Sequence, residues 1–208
     1  MTRVEVEATA DSRWGTNSYL VEDVDSHDAV IIDANFEPEA MIEVARRRGA
    51  RVRAILLTHT DGDHVAGLPA LLEAFGPLPV AVHPAEREMI TEGKPLRANL
   101  PFPSPSAPEV VDLVEGLPFS AGTLTFSVLH TPGHSPGGVT LAIGQLLFTG
   151  DALFAGSIGR SDFANSDGAA LLEGIRSQLL PLPEDSVVLA GHGPASTIGR
   201  EKQYNPFL

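Results

Sequence analysis

The chain has 208 residues, 14 of them Lys or Arg and 27 Asp or Glu, for a formal charge of −13, and 43% of it is apolar. That length buries about 70% of the surface an unfolded chain exposes, enough for a core without staples, and the composition excludes disordered and fibrous proteins. The acidic balance disfavours nucleic acid and anionic lipid as partners, and the lack of cysteine excludes disulfides, thiolate nucleophiles and cysteine metal sites, so a transition metal would be held by His and carboxylate.

The start, Met1-Thr-Arg-Val-Glu-Val-Glu, alternates apolar with charged residues, which predicts a strand over 3–8 and lacks the apolar stretch of a secretory signal. With no window near the roughly 20 apolar residues of a membrane span, the expected compartment is the cytoplasm, with no membrane partner. Strands are predicted at Ser18–Glu22 and Ala29–Ala34, the acidic stretch 22–28 forming the turn of a meander. Glu37 to Arg48 sets Met41, Ile42, Val44 and Ala45 among charges and stops at Gly49, which predicts a helix and its terminator. Val52 to Thr58 is apolar, too short for a helix, and ends at a polar cluster, as a buried strand leading to a sheet edge would.

A helix from near Val65 to Gly76, a strand over Pro79–Pro84 and a short helix over 85–91 follow. Prolines at 95, 101, 103, 105 and 108 make the first part of 93–118 an irregular surface loop. Strands return at Leu124–Leu129, Val139–Ile143 and Leu146–Phe148, the last two joined by a Gly144-Gln145 turn. A helix from about Asp167 to Leu180, a strand Ser186–Ala190 and a helical turn or two near Arg200 end the chain. The order of elements predicts a layered α/β protein, one domain over residues 1–208.

The polar cluster reads Thr58-His59-Thr60-Asp61-Gly62-Asp63-His64, four potential ligands within six residues. On a looping backbone, 59, 61 and 63 point one way and 64 across, so one loop can serve two adjacent metal centres. Three further polar ends follow apolar runs: Thr131-Pro-Gly-His134, Thr149-Gly-Asp151 and Ala190-Gly-His192, so four loops are placed to meet at one sheet edge. The other histidines read as structural: His27 solvated in an acidic turn, His83 before Pro84 at a strand end, His130 inside a strand. Trp14 and the proline-rich segment 95–108 are candidates for a lid or pocket wall, Trp14 equally for a core plug, and Met41 and Met89 for gap-filling on helices.

Together these motifs resemble the metal motifs of the metallo-β-lactamase superfamily. Gly150-Asp-Ala-Leu-Phe-Ala-Gly-Ser-Ile-Gly-Arg160-Ser-Asp162 and the ending from Gly191 to Leu208 are similar to the short bacterial glyoxalase-II-like hydrolases, and the likeness runs from Asn17-Ser-Tyr-Leu-Val to the terminus. The resemblance implies an αββα sandwich. It implies one divalent ion at His59, the residue at 61 and His134, a second at Asp63, His64 and His192, and Asp151 bridging; Asp33 would steer a ligand imidazole. One or two ions are expected, zinc first, iron or manganese next.

Position 61 departs from the family pattern, which usually has His. With Asp61, Asp63 and Asp151 all charged, a two-ion centre holding a hydroxide would be about neutral, roughly one charge below the His version, a weaker Lewis acid and better suited to iron or manganese. Alternatively Asp61 only initiates the turn at Gly62. The implied chemistry is attack of metal-activated water on the carbonyl of a small acyl thioester or ester, with Asp63 as a candidate proton acceptor and Asp151 bridging. No Gly-x-Ser-x-Gly elbow offers a serine instead. Arg160 would pair with a substrate carboxylate or tie down its own loop through Asp162. Two-domain glyoxalase II enzymes hold glutathione partly through a C-terminal helical domain, which is absent before Leu208, so glutathione specificity is not implied. Two other readings stay open: a mononuclear iron persulfide dioxygenase using His59, His134 and Asp151, and a binding or regulatory protein in which Asp61 marks a decayed centre.

Overall fold

Period-two alternation in the N-terminal strands decides the layering, because successive residues of a strand face opposite sides of its sheet. In the computed structural model, which describes residues 3–98, 102 and 104–208, β1 (Val4–Ala10), β2 (Asn17–Asp23) and β3 (Asp28–Ile32) pair antiparallel. Met1, Thr2, Pro101 and Pro103 of the sequence expectations lie outside the described residues. β4 (Arg51–Leu56), β5 (Val80–Val82) and β6 (Val110–Asp112) extend the sheet in parallel, in the order β1-β2-β3-β4-β5-β6. Val30, Ile32, Ala54 and Leu56 face the second sheet; Ala29, Ile31, Ile55 and Leu57 face helices.

The second sheet holds β7 (Phe119–Ala121), β8 (Leu124–His130), β9 (Val139–Ile143) and β10 (Leu146–Gly150); beside it, β11 (Leu153–Phe154) and β12 (Ser157–Ile158) form a small hairpin. β13 (Val187–Ala190) and β14 (Ser196–Thr197) complete the sheet in the order β14-β13-β10-β9-β8-β7, with β10 and β13 parallel and the other pairs antiparallel. Phe126, Val128, Leu141 and Phe148 meet the first sheet in the central core. On the outer side of the first sheet pack α1 (Pro38–Arg48), α2 (Gly62–Val65), α3 (Leu68–Phe75) and α4 (Arg87–Thr91); on that of the second, α5 (Gly168–Gly174) and α6 (Ile198–Tyr204). The expected αββα sandwich of two mixed sheets is the fold observed.

The helix expected from near Val65 to Gly76 is α3, which starts at Leu68, and a separate short helix, α2, precedes it. Pro69 has no amide hydrogen and would clash with a continuous turn, so it sits at the start of α3 and the chain breaks at Ala66-Gly67, where the Gly67 amide donates to Ala34 O at 2.9 Å. After the proline-rich first part of segment 93–118, expected as irregular, comes β6, a three-residue strand that the sequence pattern does not mark and that pairing with β5 completes. The helix expected from about Asp167 forms as α5, with Asp167 capping it by accepting from the Ala169 and Ala170 amides at 2.9 and 3.0 Å, after which it widens into a π turn over Ile175–Leu179. No helix among the described residues is long and apolar enough to cross a membrane.

Candidate metal centre

The ends of β4, β8, β10 and β13 deliver four loops to one edge of the sandwich. Backbone bonds across both sheets lock them together: the Val139 amide donates to Thr58 O at 2.9 Å, Gly191 to Gly150 O at 2.8 Å, and Asn17 to Gly191 O at 2.7 Å. Tyr19 OH donates to Ala190 O at 2.6 Å and Asn17 Nδ2 to the same oxygen at 3.0 Å, fixing the strand before His192 against the first sheet. Gly191 is required by a close approach: a Cβ there would stand 2.3 Å from Asp151 Oδ1.

Two clusters result. His59, His134 and Asp151 bring one ligand atom each within 4.8 Å of one another, and so do Asp63, His64 and His192. The His59 and His64 ring centres are 4.1 Å apart, so the clusters adjoin; Asp151 also lies between them, 3.4 Å from His64 Nε2 and 3.5 Å from His192 Nε2. Nδ1 of three imidazoles is held from behind: His64 by Asp33 Oδ2 at 2.9 Å, His134 by Arg160 O at 2.8 Å, His59 by Thr58 Oγ1 at 3.1 Å. That arrangement presents Nε2 of each ring to the centre. Thr16 Oγ1 donates to Asp63 Oδ2 at 2.7 Å and orients that carboxylate.

Electrostatics follow from burial and charge. Burial opposes ionisation of Asp63 and Asp151, but His64 and His192 outweigh it and hold both below the usual carboxylate range. Burial, together with His64 and His134, lowers His59, whereas burial of His64 is outweighed by Asp63, Asp33 and Asp151, which raise it. His192 is raised to about 9 against its burial by Asp151 and Asp63. His59 Nε2, His64 Nε2 and Asp151 Oδ1 are buried with no hydrogen-bond partner among the described residues. Orphaned buried atoms of this kind are costly, and three of them converging from two adjacent clusters fit bound cations. A nitrogen and oxygen donor set without sulfur suits zinc, iron or manganese.

Asp61, expected from sequence as a ligand, stands against two residues of the first cluster, and both of its oxygens also accept hydrogen bonds. Its Oδ2 accepts from His134 Nε2 at 2.8 Å and lies 3.7 Å from His59 Nε2, and both oxygens accept from Arg97. It sits at the cap position of α2 but makes no capping bond. Arg160 takes the structural alternative, gripping Asp162 with two bonds of 2.9 and 2.8 Å at the surface, its guanidinium over the Phe163 ring. Trp14 is 58% exposed, so it is no core plug; it meets Phe102 edge-on at 5.3 Å. Trp14, Phe102, Phe154, Ile158 and Phe163 wall a cavity of about 400 Å³ over Asp61, Asp63, His134, Asp151 and His192.

The remaining histidines are outside the centre. His83 and His130 stack on each other at 4.1 Å, and His27, expected as merely solvated, binds Glu22 through Nδ1 at 2.7 Å. Sequence reasoning missed three supporting residues. Buried Glu86 accepts from the Thr60 amide, Thr60 Oγ1 and the Gly137 amide, each at 2.7 Å, and so ties the His59 loop to the His134 loop. Thr16 and Arg97 are the others, and neither lies in a periodic segment that would mark it.

The family model described as "Metallo-beta-lactamase superfamily" matches residues 11–192. The hydroxyacylglutathione hydrolase GloC of Haemophilus influenzae is 36% identical over 189 residues, 88% of this chain and 89% of that protein. Among solved structures, the BLEG-1 B3 metallo-β-lactamase is 37% identical with a TM-score of 0.89, covering 98% of this chain and 99% of that one. TTHA1623 in a di-iron-bound form is 39% identical with a TM-score of 0.83, covering 97% and 100%.

Proposed function

The chain belongs to the metallo-β-lactamase superfamily and is a hydrolase of that superfamily, and on this premise we propose that it cleaves a small acyl thioester or ester in the manner of glyoxalase II. The observation that carries the proposal is the pair of adjacent His/Asp clusters with orphaned Nε2 and Oδ1 atoms beneath an apolar cavity. In this reading His59, His134 and Asp151 hold one divalent ion, and Asp63, His64 and His192 the other. Ions at these positions would make water a nucleophile at neutral pH and polarise an acyl carbonyl.

The protein's own groups do the rest. Asp33, Thr58 and the Arg160 carbonyl keep the three imidazoles turned inward, which removes reorganisation from the reacting geometry. Asp63, oriented by Thr16, is the carboxylate placed to accept a proton at the cavity floor. Trp14, Phe102, Phe154 and Phe163 exclude bulk water and receive the apolar part of a substrate. Arg160 at the cavity wall is paired with Asp162 at the surface, and Arg97 lies outside the lining, held by Asp61.

The test is an assay of the metal-loaded protein on acyl thioesters, including lactoylglutathione, on aryl esters and on a cephalosporin. Thioester or ester hydrolysis lost on chelation supports the proposal. A second reading, an iron oxygenase, is favoured by the two-histidine, one-carboxylate makeup of the first cluster. Oxygen uptake on a glutathione persulfide without hydrolysis of any ester would put it in place of the first.

A further inference from the structure

Arg97 is 7% exposed and comes from the segment that sequence alone reads as an irregular loop. Its Nε donates to Asp61 Oδ1 at 2.8 Å and its Nη2 to Asp61 Oδ2 at 3.2 Å, the two-pronged geometry in which a guanidinium best holds a carboxylate. Nη2 also donates to the His134 carbonyl at 2.7 Å. Nη1 reaches Asn165 Oδ1 and lies 3.5 Å from Ser166 Oγ, and the Phe163 ring covers the guanidinium at 4.3 Å. Every N–H of the group thus has an acceptor in the protein, leaving none to receive a substrate.

The electrostatic consequence concerns the first cluster. A carboxylate at position 61 lowers the local charge by one relative to a neutral imidazole, but a guanidinium in direct contact returns it. The expectation of a centre depleted by one positive charge counts Asp61 without Arg97. Both Asp61 oxygens accept from Arg97, and Asp61 Oδ2 also stands 2.8 Å from His134 Nε2 and 3.7 Å from His59 Nε2, within the 4.8 Å that the ligand atoms of His59, His134 and Asp151 keep among themselves.

We propose that Arg97 is a positioning and charge-balancing residue for the first cluster: it orients Asp61 against His59 and His134 and cancels its charge, so that the ion pair stands where a single neutral side chain would otherwise serve. Asp61 is then the link through which Arg97 and the segment carrying it fix His134, not a free carboxylate facing the cation. The inference rests on the metal reading above, and it gives Asp61 and Arg97 meaning only as a pair.

The experiment is zinc affinity of the full chain, by competition with a chelator, in the wild type and in R97M, D61N and D61N/R97M, with thermal melting alongside. R97M frees a carboxylate beside the cation and should tighten the weaker zinc by about tenfold or more; D61N leaves an unpaired guanidinium and should weaken it by a similar factor. The double variant removes both charges and should return to within about threefold of the wild type, with its fold kept, since neutral replacement of a buried pair is tolerated better than loss of one partner. If R97M does not fold, D61N against the double variant still decides. Weakening that is equal in D61N and the double variant, or tightening in neither R97M nor the double relative to D61N, overturns the proposal. A wild type that retains no zinc overturns the metal reading with it; a wild type that binds zinc with an affinity unmoved by these changes overturns this inference alone.

Discussion

Asp33 Oδ2 accepts from His64 Nδ1 at 2.9 Å while the same carboxylate takes the Thr58 amide and hydroxyl at 2.8 Å each. Asp33 is held in the left-handed region, with φ of +59°, a conformation that costs a non-glycine residue of order 1 kcal/mol and that persists because these bonds over-determine it. One side chain at the end of β3 thereby fixes both the loop that carries His59 and the tautomer of His64. Asp33→Asn places an amide where an acceptor is needed, so zinc affinity should fall about 10–100-fold. Equilibrium dialysis of zinc against the variant checks this, and unchanged affinity would remove Asp33 from the account.

Glu86 makes the corresponding tie on the other side, between Thr60 and Gly137. Glu86→Ala strands three buried donors and should cost about 2–4 kcal/mol in urea unfolding. Because it also frees the His59 loop from the His134 loop, kcat on the preferred ester should drop more than KM rises. A stability loss with untouched kcat would make Glu86 a structural brace alone.

The parts of this architecture that the sequence discloses are those with a repeating physical cause. The run Val52–Thr58 ends abruptly at His59 because a strand whose last residues, Ala54, Ile55 and Leu56, are buried on both faces stops where the sheet meets the site, and the same holds for β10 before Asp151. β6, β7, β11, β12 and β14 are two or three residues long, too short for alternation to register; β6 exists through pairing with β5, far earlier in the chain, and the others through pairing with strands close by in sequence. The break at Pro69 was legible in principle from proline chemistry. Arg97 was not: nothing in a proline-rich stretch reveals that its one arginine turns inward to meet a carboxylate 36 positions earlier.

Away from the site, Arg48 joins buried Glu22 to the surface residues Glu5 and Glu7. Burial would raise the Glu22 carboxyl, but Arg48 and His27 outweigh it and hold it below its ordinary value of 4.5. A carboxyl depressed in the folded state contributes stability above its unfolded value, and that contribution is lost as pH falls through the folded value. Arg48→Met should therefore destabilise by about 1–3 kcal/mol at pH 7, and the difference from wild type should shrink below about pH 4. Urea midpoints of both proteins across that range test it; a gap independent of pH would contradict it.

Trp14 contributes to the cavity wall and little to the core, being 58% exposed and packed on Phe102. Trp14→Ala should leave the melting temperature within about 2 °C of wild type, since exposed substitutions cost little. KM for an apolar acyl ester should rise several-fold with kcat nearly constant, the pattern of lost uniform binding. Steady-state kinetics on acyl chains of graded length would show it, and a KM that ignores both the substitution and chain length would reject the wall assignment.

The central claim is that the two His/Asp clusters hold cations on which hydrolysis depends. It is tested most directly by measuring metal content and ester or thioester hydrolysis on one preparation as purified, after chelation and after reloading. The account predicts that the two quantities fall and return together, and that His134→Ala and His192→Ala each lose bound metal and at least about 100-fold in rate while keeping the fold. Full hydrolysis by a protein stripped of metal would contradict it.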